Sequence, residues 1–186
     1  MMSFPRYLGV ILLLGGLTAC QSTYSEKNIT KEPPPLLRSN TRAYVAIPFD
    51  AMFKKTVAQG SGKQTAQALF VAFNRYTKSV YLGKFPESTT EALDSARKFN
   101  AEYLVYPNIV KWEDRATEWS GRRDRLSLKV DLIDLSTSTI VFSREIEATG
   151  KWMTDGGDSP NDLLEQPCEE YVNALFRRIE KPSALW

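Results

Sequence analysis

Leu126-Ser127-Leu128-Lys129-Val130-Asp131-Leu132 alternates apolar and polar residues. After the turn residues Ser136-Thr137-Ser138, the stretch Thr139 to Lys151 alternates again through Ile140, Phe142, Ile146 and Ala148. A period of two with one apolar face marks a half-buried strand, and two such runs across a short polar turn make an antiparallel hairpin. The hairpin decides the fold class because the residues before it demand the opposite strand relation. Arg42 to Asp50 reads as a first strand, with Val45, Ile47 and Phe49 on one face. A loop follows, then a helix from Gly62 to Thr77, where Ala66, Leu69, Phe70 and Phe73 form one stripe, and Ser79 to Lys84 is a short second strand. Ser88-Thr89-Thr90-Glu91 reads as a capping box, opening a helix that buries Ala92, Leu93, Ala96 and Phe99 and stops at Asn100.

Ala101 to Trp112 is apolar on both faces, which suits a central strand covered on two sides. Pro107 cannot donate to a ladder, so a bulge is expected there, or a strand that becomes an edge beyond it. Gly156-Gly157 breaks the chain before a last helix, regular from Pro167, with Leu164, Cys168, Tyr171, Val172, Leu175 and Ile179 on its inward stripe. Helical crossovers join parallel strands and the hairpin joins antiparallel ones. The expected fold is a single α/β (α+β) domain with a mixed sheet of about five strands and three helices, ordered β-α-β-α-β-β-β-α.

Outward from this domain, the amino terminus sets the compartment. Arg6 is the only charge before the apolar run Tyr7 to Leu17. That run is shorter than the roughly 20 apolar residues that cross a bilayer and has the size of a signal-peptide core. Leu17-Thr18-Ala19-Cys20 resembles the lipobox of bacterial lipoproteins, which implies cleavage before Cys20 and covalent lipid on its thiol and new amino group. A secretory signal in which Cys20 is incidental is the alternative. Gln21 and Ser22 follow instead of the Asp that retains such proteins in the inner membrane, so the resemblance implies the periplasmic face of the cell outer membrane. The expected organisation is a lipoprotein signal peptide over 1–19, a lipidated tether over 20–41 with Pro33-Pro34-Pro35 stiffening its middle, a periplasmic α/β domain over 42–181, and a tail over 182–186.

Composition then removes whole classes of chemistry. The chain has no histidine, which excludes His-based triads and His-containing zinc sites. Of the two cysteines Cys20 takes lipid, leaving Cys168 without a partner for a disulfide and reading as a buried thiol. With Arg6 removed, 23 basic residues face 22 acidic ones, a balance that does not fit nucleic-acid binding. Gly60-Ser61-Gly62-Lys63-Gln64-Thr65 falls short of a phosphate loop, because Val57 and Gln64 stand where the motif needs Gly and Ser or Thr. No nucleotide, metal or other cofactor is expected beyond the covalent lipid on Cys20.

Two patterns remain as candidate sites. Trp112, Arg115, Trp119, Arg122, Arg123 and Arg125 interleave the residue types that dominate protein interfaces. Among them Glu113, Asp114 and Glu118 could serve a glycan-acting enzyme as acid and base, while a solvated loop would need the same composition. Asp131 and Asp134, an odd number apart, fall on opposite strand faces and cannot form a dyad.

Tyr44-Val45-Ala46-Ile47-Pro48-Phe49, Gly60-Ser61-Gly62, Ala101-Glu102-Tyr103-Leu104-Val105 and Val130 to Thr137 together resemble a small uncharacterised family of proteobacterial lipoproteins. More remotely they resemble the α/β domain of the curli secretion lipoprotein, of penicillin-binding-protein activator lipoproteins, and of the amino-terminal part of the Tol-Pal translocation protein. The resemblance implies a non-enzymatic envelope module that binds another envelope protein as an accessory or assembly factor and reaches the membrane through its lipid. It departs from the curli protein at Trp112 to Asp124, too short for two membrane-spanning strands of about 9–11 residues. The alternatives are a periplasmic enzyme acting on cell-wall glycan through the loop carboxylates, and a sensor of anionic lipid surfaces using the arginines.

Overall fold

Tyr103–Glu113 (β6) is the joint of the molecule, parallel to Ala43–Ile47 (β2) over its first three residues and antiparallel to Arg125–Asp134 (β7) over its full length. Pro107 therefore lies just past the last pair that β6 makes with β2, Val45↔Val105, and the register with β7 shifts between Ile109 and Lys111. The strand becomes an edge on its β2 side, as foreseen for a proline, while the bulge falls beyond Ile109 and not at Pro107 itself. The chain is known here from a computed structural model that describes residues 22–114, 123–151 and 159–176.

The remaining elements are Thr23–Asn28 (β1), Met52–Phe53 (β3), Thr56–Val57 (β4), Ser61–Asn74 (α1), Val80–Pro86 (β5), Thr89–Lys98 (α2), Thr139–Thr149 (β8), a 3-10 turn at Pro160–Leu163 and Glu165–Phe176 (α3). Six strands form one mixed sheet in the order β1-β8-β7-β6-β2-β5, and β3 and β4 form a separate small hairpin. The path β2-α1-β5 moves to one side of β2 and β5-α2-β6 moves back past it to the other. Right-handed crossovers in opposite directions put their helices on opposite faces. Accordingly Ala66, Leu69 and Phe73 of α1 share the main core with Tyr171 and Leu175 of α3 and Leu126, Leu128, Val130 and Leu132 of β7. Ala92 and Ala96 of α2 pack in a second cluster with Tyr44, Ala46, Leu104 and Ile133.

Several expectations are corrected. Residues 23–28, assigned to the tether, are a sixth strand: β1 runs antiparallel to β8 from Thr23↔Thr149 to Asn28↔Arg144. Its polar sequence hides it because an edge strand is held by backbone pairing and buries little. Leu37, in the same segment, is buried in the main core and donates its backbone N–H to the Leu175 carbonyl, 2.7 Å. Chain packed against the domain therefore begins well before residue 42. The loop after the first strand contains the β3–β4 hairpin, and Phe49 lies beyond the end of β2 and is exposed. Phe99, expected inside, is exposed and lies against Tyr44 and Tyr81. Ile140 is exposed because the register shifts between Leu132 and Ile133, which turns it to the face opposite Phe142.

Candidate functional site

The carboxyl end of β2 holds the features of the molecule least explained by packing. In open α/β sheets ligands collect at the carboxyl ends of strands where the order reverses, and β2 has β5 on one flank and β6 on the other. The chain leaves β2 through Pro48-Phe49-Asp50 and folds the β3–β4 hairpin before it starts α1 at Ser61. Asp50 fills the amino terminus of that helix. One of its oxygens accepts from the Gly60 N–H at 2.9 Å and the other from the Gly62 N–H at 2.8 Å. Ser61 Oγ accepts from the Ala51 N–H at 2.9 Å. A carboxylate of the chain thus occupies the position that a phosphate takes in a phosphate loop. Gly60 has φ +84°, and a Cβ on Gly62 would stand 2.1 Å from the Pro48 carbonyl oxygen. These glycines serve a tight turn and a close helix–strand approach.

Beside this turn lies a groove of about 610 Å³, walled by Phe53, Thr56 and Val57 of the hairpin, by Trp112 and Asp114, and by Pro160. A second hollow of about 500 Å³ follows α1 past Val71 to Glu165 and Glu169, and the two share Gln64 and Asn161. Around the same end of the sheet, Phe49, Met52 and Phe85 are 63%, 71% and 74% exposed. Alternation places Phe49 inward and marks neither of the other two, because all three lie at or beyond strand ends.

The residues singled out from sequence distribute unevenly. Trp112 is buried in the main core and shows the groove only part of its surface, so it is not a displayed interface anchor. Arg125 is exposed and pairs across the ladder with Glu113, and Arg123 is half-buried. Asp114 lines the groove while Glu113, its neighbour, belongs to the strand. Cys20, Arg115, Glu118, Trp119 and Arg122 lie outside the described residues. Asp131 accepts from Ser143 Oγ and pairs with Lys129 at 3.0 Å. Asp134 caps the hairpin turn by accepting from Ser136 Oγ and the Ser136 N–H, and those bonds hold its carboxyl below the usual range. The two aspartates are separated as expected.

The buried polar groups serve the fold. Burial pushes the Tyr44 phenol up to about 12, assisted by its bond to Glu87, which also accepts from Ser95. Burial likewise raises the Cys168 thiol to about 12, which leaves it protonated and unreactive at neutral pH. Arg144 is enclosed at the β1 edge, donating to Glu26 at 2.6 Å and Asn28 at 2.8 Å. Among the described residues no helix is long and apolar enough to cross a membrane, and no group of three or more acidic or cysteine side chains is placed to hold a metal ion.

The DUF4823 profile, a domain of unknown function, matches residues 36–175. Comparison by sequence with curated proteins returns no match. Among solved structures, the PelC dodecamer of Paraburkholderia phytofirmans aligns with a TM-score of 0.65 at 16% identity, over 85% of this chain and 99% of that one. A single-residue variant of the same protein gives 0.60 at 17% identity, over 82% and 98%. A Xanthomonas campestris protein of family DUF330 gives 0.51 at 14% identity, over 79% and 90%. At these identities the likeness is one of fold.

Proposed function

The chain belongs to the DUF4823 family, and from that premise we propose that it is a lipoprotein anchored through Cys20 to the periplasmic face of the outer membrane. There it acts as a non-enzymatic, protein-binding accessory or assembly factor of the cell envelope. A remote kinship with the α/β domain of the curli secretion, synthase-activator and Tol-Pal proteins is part of the same proposal. The observation that carries it is the pair of neighbouring hollows along α1, whose walls combine apolar side chains with the amides Gln64, Gln67 and Asn161. Such a lining suits a polypeptide, which offers apolar side chains and backbone donors and acceptors together. Exposed Val57 and Val71 flank it. Asp50, at the turn, is engaged in holding the α1 terminus. The PelC protein of like fold is a dodecamer, so a second copy of this chain is one of the occupants to be read out.

A photo-crosslinking residue placed at Val57 or Val71 in intact cells is expected to give a discrete protein adduct that the same residue at Thr137 does not. The absence of any adduct at both groove positions, with the protein normally expressed, would remove the binding role. The anchor is tested separately. Cys20→Ser is expected to abolish incorporation of labelled palmitate and membrane retention, and an unchanged variant would contradict lipidation.

A further inference from the structure

We infer that the groove at Trp112 is held close to the membrane surface, and that its occupant is a juxtamembrane polypeptide segment of a second envelope protein anchored in the same leaflet. The inference rests on the binding role and on lipidation of Cys20, and it names the class of partner. Its first support is a row of side chains across the sheet. β1 pairs with β8 at Tyr24↔Ala148, β8 with β7 at Ala148↔Leu126, and β7 with β6 at Leu126↔Trp112. Ala148, Leu126 and Trp112 belong to the main core and Tyr24 packs against it, so Tyr24 and the Trp112 wall of the groove lie level on one face. Thr23, Thr149, Arg125 and Glu113 make the next row, and Asp114, also in the wall, follows directly. The groove therefore opens at the end of the sheet where the chain enters from Cys20.

The second support is distance. Cys20 precedes Thr23 by three residues, at most about 11 Å of extended chain. β1 and β6 are three strand separations apart, about 14 Å. Whichever way the domain leans, the Trp112 wall stays within about 25 Å of the acylated residue. The segment after Cys20 also has no slack to release. Arg144, 4% exposed, donates to Glu26 at 2.6 Å and Asn28 at 2.8 Å, which fastens β1 by side chains as well as by its ladder. Past the strand, the Ile29 N–H donates to the Ser143 carbonyl at 2.8 Å and the Leu37 N–H to the Leu175 carbonyl at 2.7 Å. Had residues 21 to 42 been a free tether, the groove could roam far from the leaflet. With β1 in the sheet, it cannot.

The third support is what such a groove needs from its partner. Its lining mixes Phe53, Val57, Trp112 and Pro160 with Gln64 and Asn161, and Trp112 shows it only part of a ring that is 6% exposed. A surface without a displayed aromatic anchor binds weakly by itself. Two chains fixed to one leaflet meet at an effective concentration that reaches the order of millimolar for short tethers, which makes a weak contact sufficient. A partner anchored beside Cys20 needs only about seven extended residues to reach the Trp112 wall. A partner without an anchor gains nothing from the short leash. The Asp134–Thr139 turn, about 33 Å along β8 from Thr149, is under no such constraint.

The test lengthens the leash in the full lipidated chain, in intact cells, with the photo-crosslinking residue at Val57. About twenty Gly and Ser residues inserted between Ser22 and Thr23 leave Cys20 and β1 in place and add roughly 25 Å of root-mean-square span. The insertion is expected to cut the Val57 adduct severalfold while membrane retention and thermal unfolding match the parent. The same insertion between Ser136 and Thr137 leaves the spacing from Cys20 to Trp112 unchanged and should leave the adduct yield unchanged. An adduct that withstands the longer leash, or falls equally with both insertions, would overturn the inference and leave the binding role standing. Absence of any adduct in the parent chain would remove the binding role itself. Mass spectrometry of the adduct is expected to find a protein with its own lipid anchor or membrane span, joined near its membrane-proximal end. A partner without an anchor, or a second copy of this chain, would equally refute the assignment.

Discussion

The two faces of the sheet are built from the same strands and differ in depth. Under α1 and α3, β7 contributes four fully buried side chains, Leu126, Leu128, Val130 and Leu132, which meet Leu69, Phe73, Tyr171 and Leu175. Under α2 the buried set is six residues, and the helix contributes only Ala92 and Ala96, small enough for it to lie close on Leu104 and Ile133. Beyond α2, that face turns polar through Lys129, Asp131 and Ser143. The difference teaches where stability and adaptability reside. The thick face fixes the fold, and the groove opens along its border. The thin face is a cover that one short capped helix suffices to hold.

The sharpest way to break this comparison is a pair of truncations. Phe73→Ala, in the centre of the thick face, is expected to cost about 3–5 kcal/mol, the range for a fully buried aromatic. Leu104→Ala, equally buried but under the thin cover, should cost about 2–3 kcal/mol because α2 can settle into the space. Urea unfolding followed by circular dichroism ranks them, and an equal or larger loss at Leu104 would mean that the thin face is no more yielding than the thick one. Gly62→Ala probes how tightly α1 is fastened at the groove. A Cβ pressed against the Pro48 carbonyl should cost about 1–3 kcal/mol as overpacking and should also weaken crosslinking at Val57. Unchanged stability in that variant would show that the close approach is not needed.

Smaller effects separate the faces by pH. Ser88 accepts from the Glu91 N–H at 3.4 Å and Glu91 reaches back to the Ser88 N–H at 2.9 Å, so Ser88→Ala should cost about 1 kcal/mol at neutral pH. The bonds from the Ser88 hydroxyl and N–H hold the Glu91 carboxyl below its ordinary value. A depressed value means stability present above the unfolded-state pKa and lost as pH falls through the folded one, so the parent's advantage over Ser88→Ala should shrink on acidification. Glu26, at the outer edge of the thick face, titrates in the other sense. Burial raises its pKa, Arg144 opposes the shift and Glu170 adds to it. The folded state then binds that proton more tightly, and the parent should lose ground to Glu26→Gln as pH rises from the ordinary carboxyl range through the raised value. At neutral pH the two should differ by less than about 1 kcal/mol, since desolvation offsets the pairing. Unfolding free energies at acid and neutral pH check both signs.

Much of this was legible without coordinates where the physics is local. The alternation of residues 126–132, the stripe Ala66, Leu69 and Phe73, and the Ser88–Glu91 capping box each depend on neighbours within a few positions, and each stands as read. Pro107 announced the end of a ladder by its missing N–H. What escaped depends on distant partners. Thr23-Tyr24-Ser25-Glu26-Lys27-Asn28 has no strand pattern, because its reason to be a strand is the unpaired edge of β8 more than a hundred residues later. The candidate site was half legible. The region around Trp112 and Asp114 was flagged for its composition, but Trp112 proved to be core, and the groove's other walls come from the β3–β4 hairpin, α1 and the turn at Pro160. Phe49 was assigned inward by extending an alternation past the point where β2 stops.

Taken alone, the amino-acid order determined the three helices and five strands of the main sheet, its mixed parallel and antiparallel character, and the absence of histidine, since these follow from period, turn residues and composition. Only the tertiary structure decided that an inconspicuous polar segment closes the sheet beside β8, and that the groove forms where the β3–β4 hairpin, α1 and the turn at Pro160 meet. Backbone pairing across long separations is blind to side-chain pattern, and which strand ends coincide in space depends on the order of strands in the sheet rather than on their order in the chain.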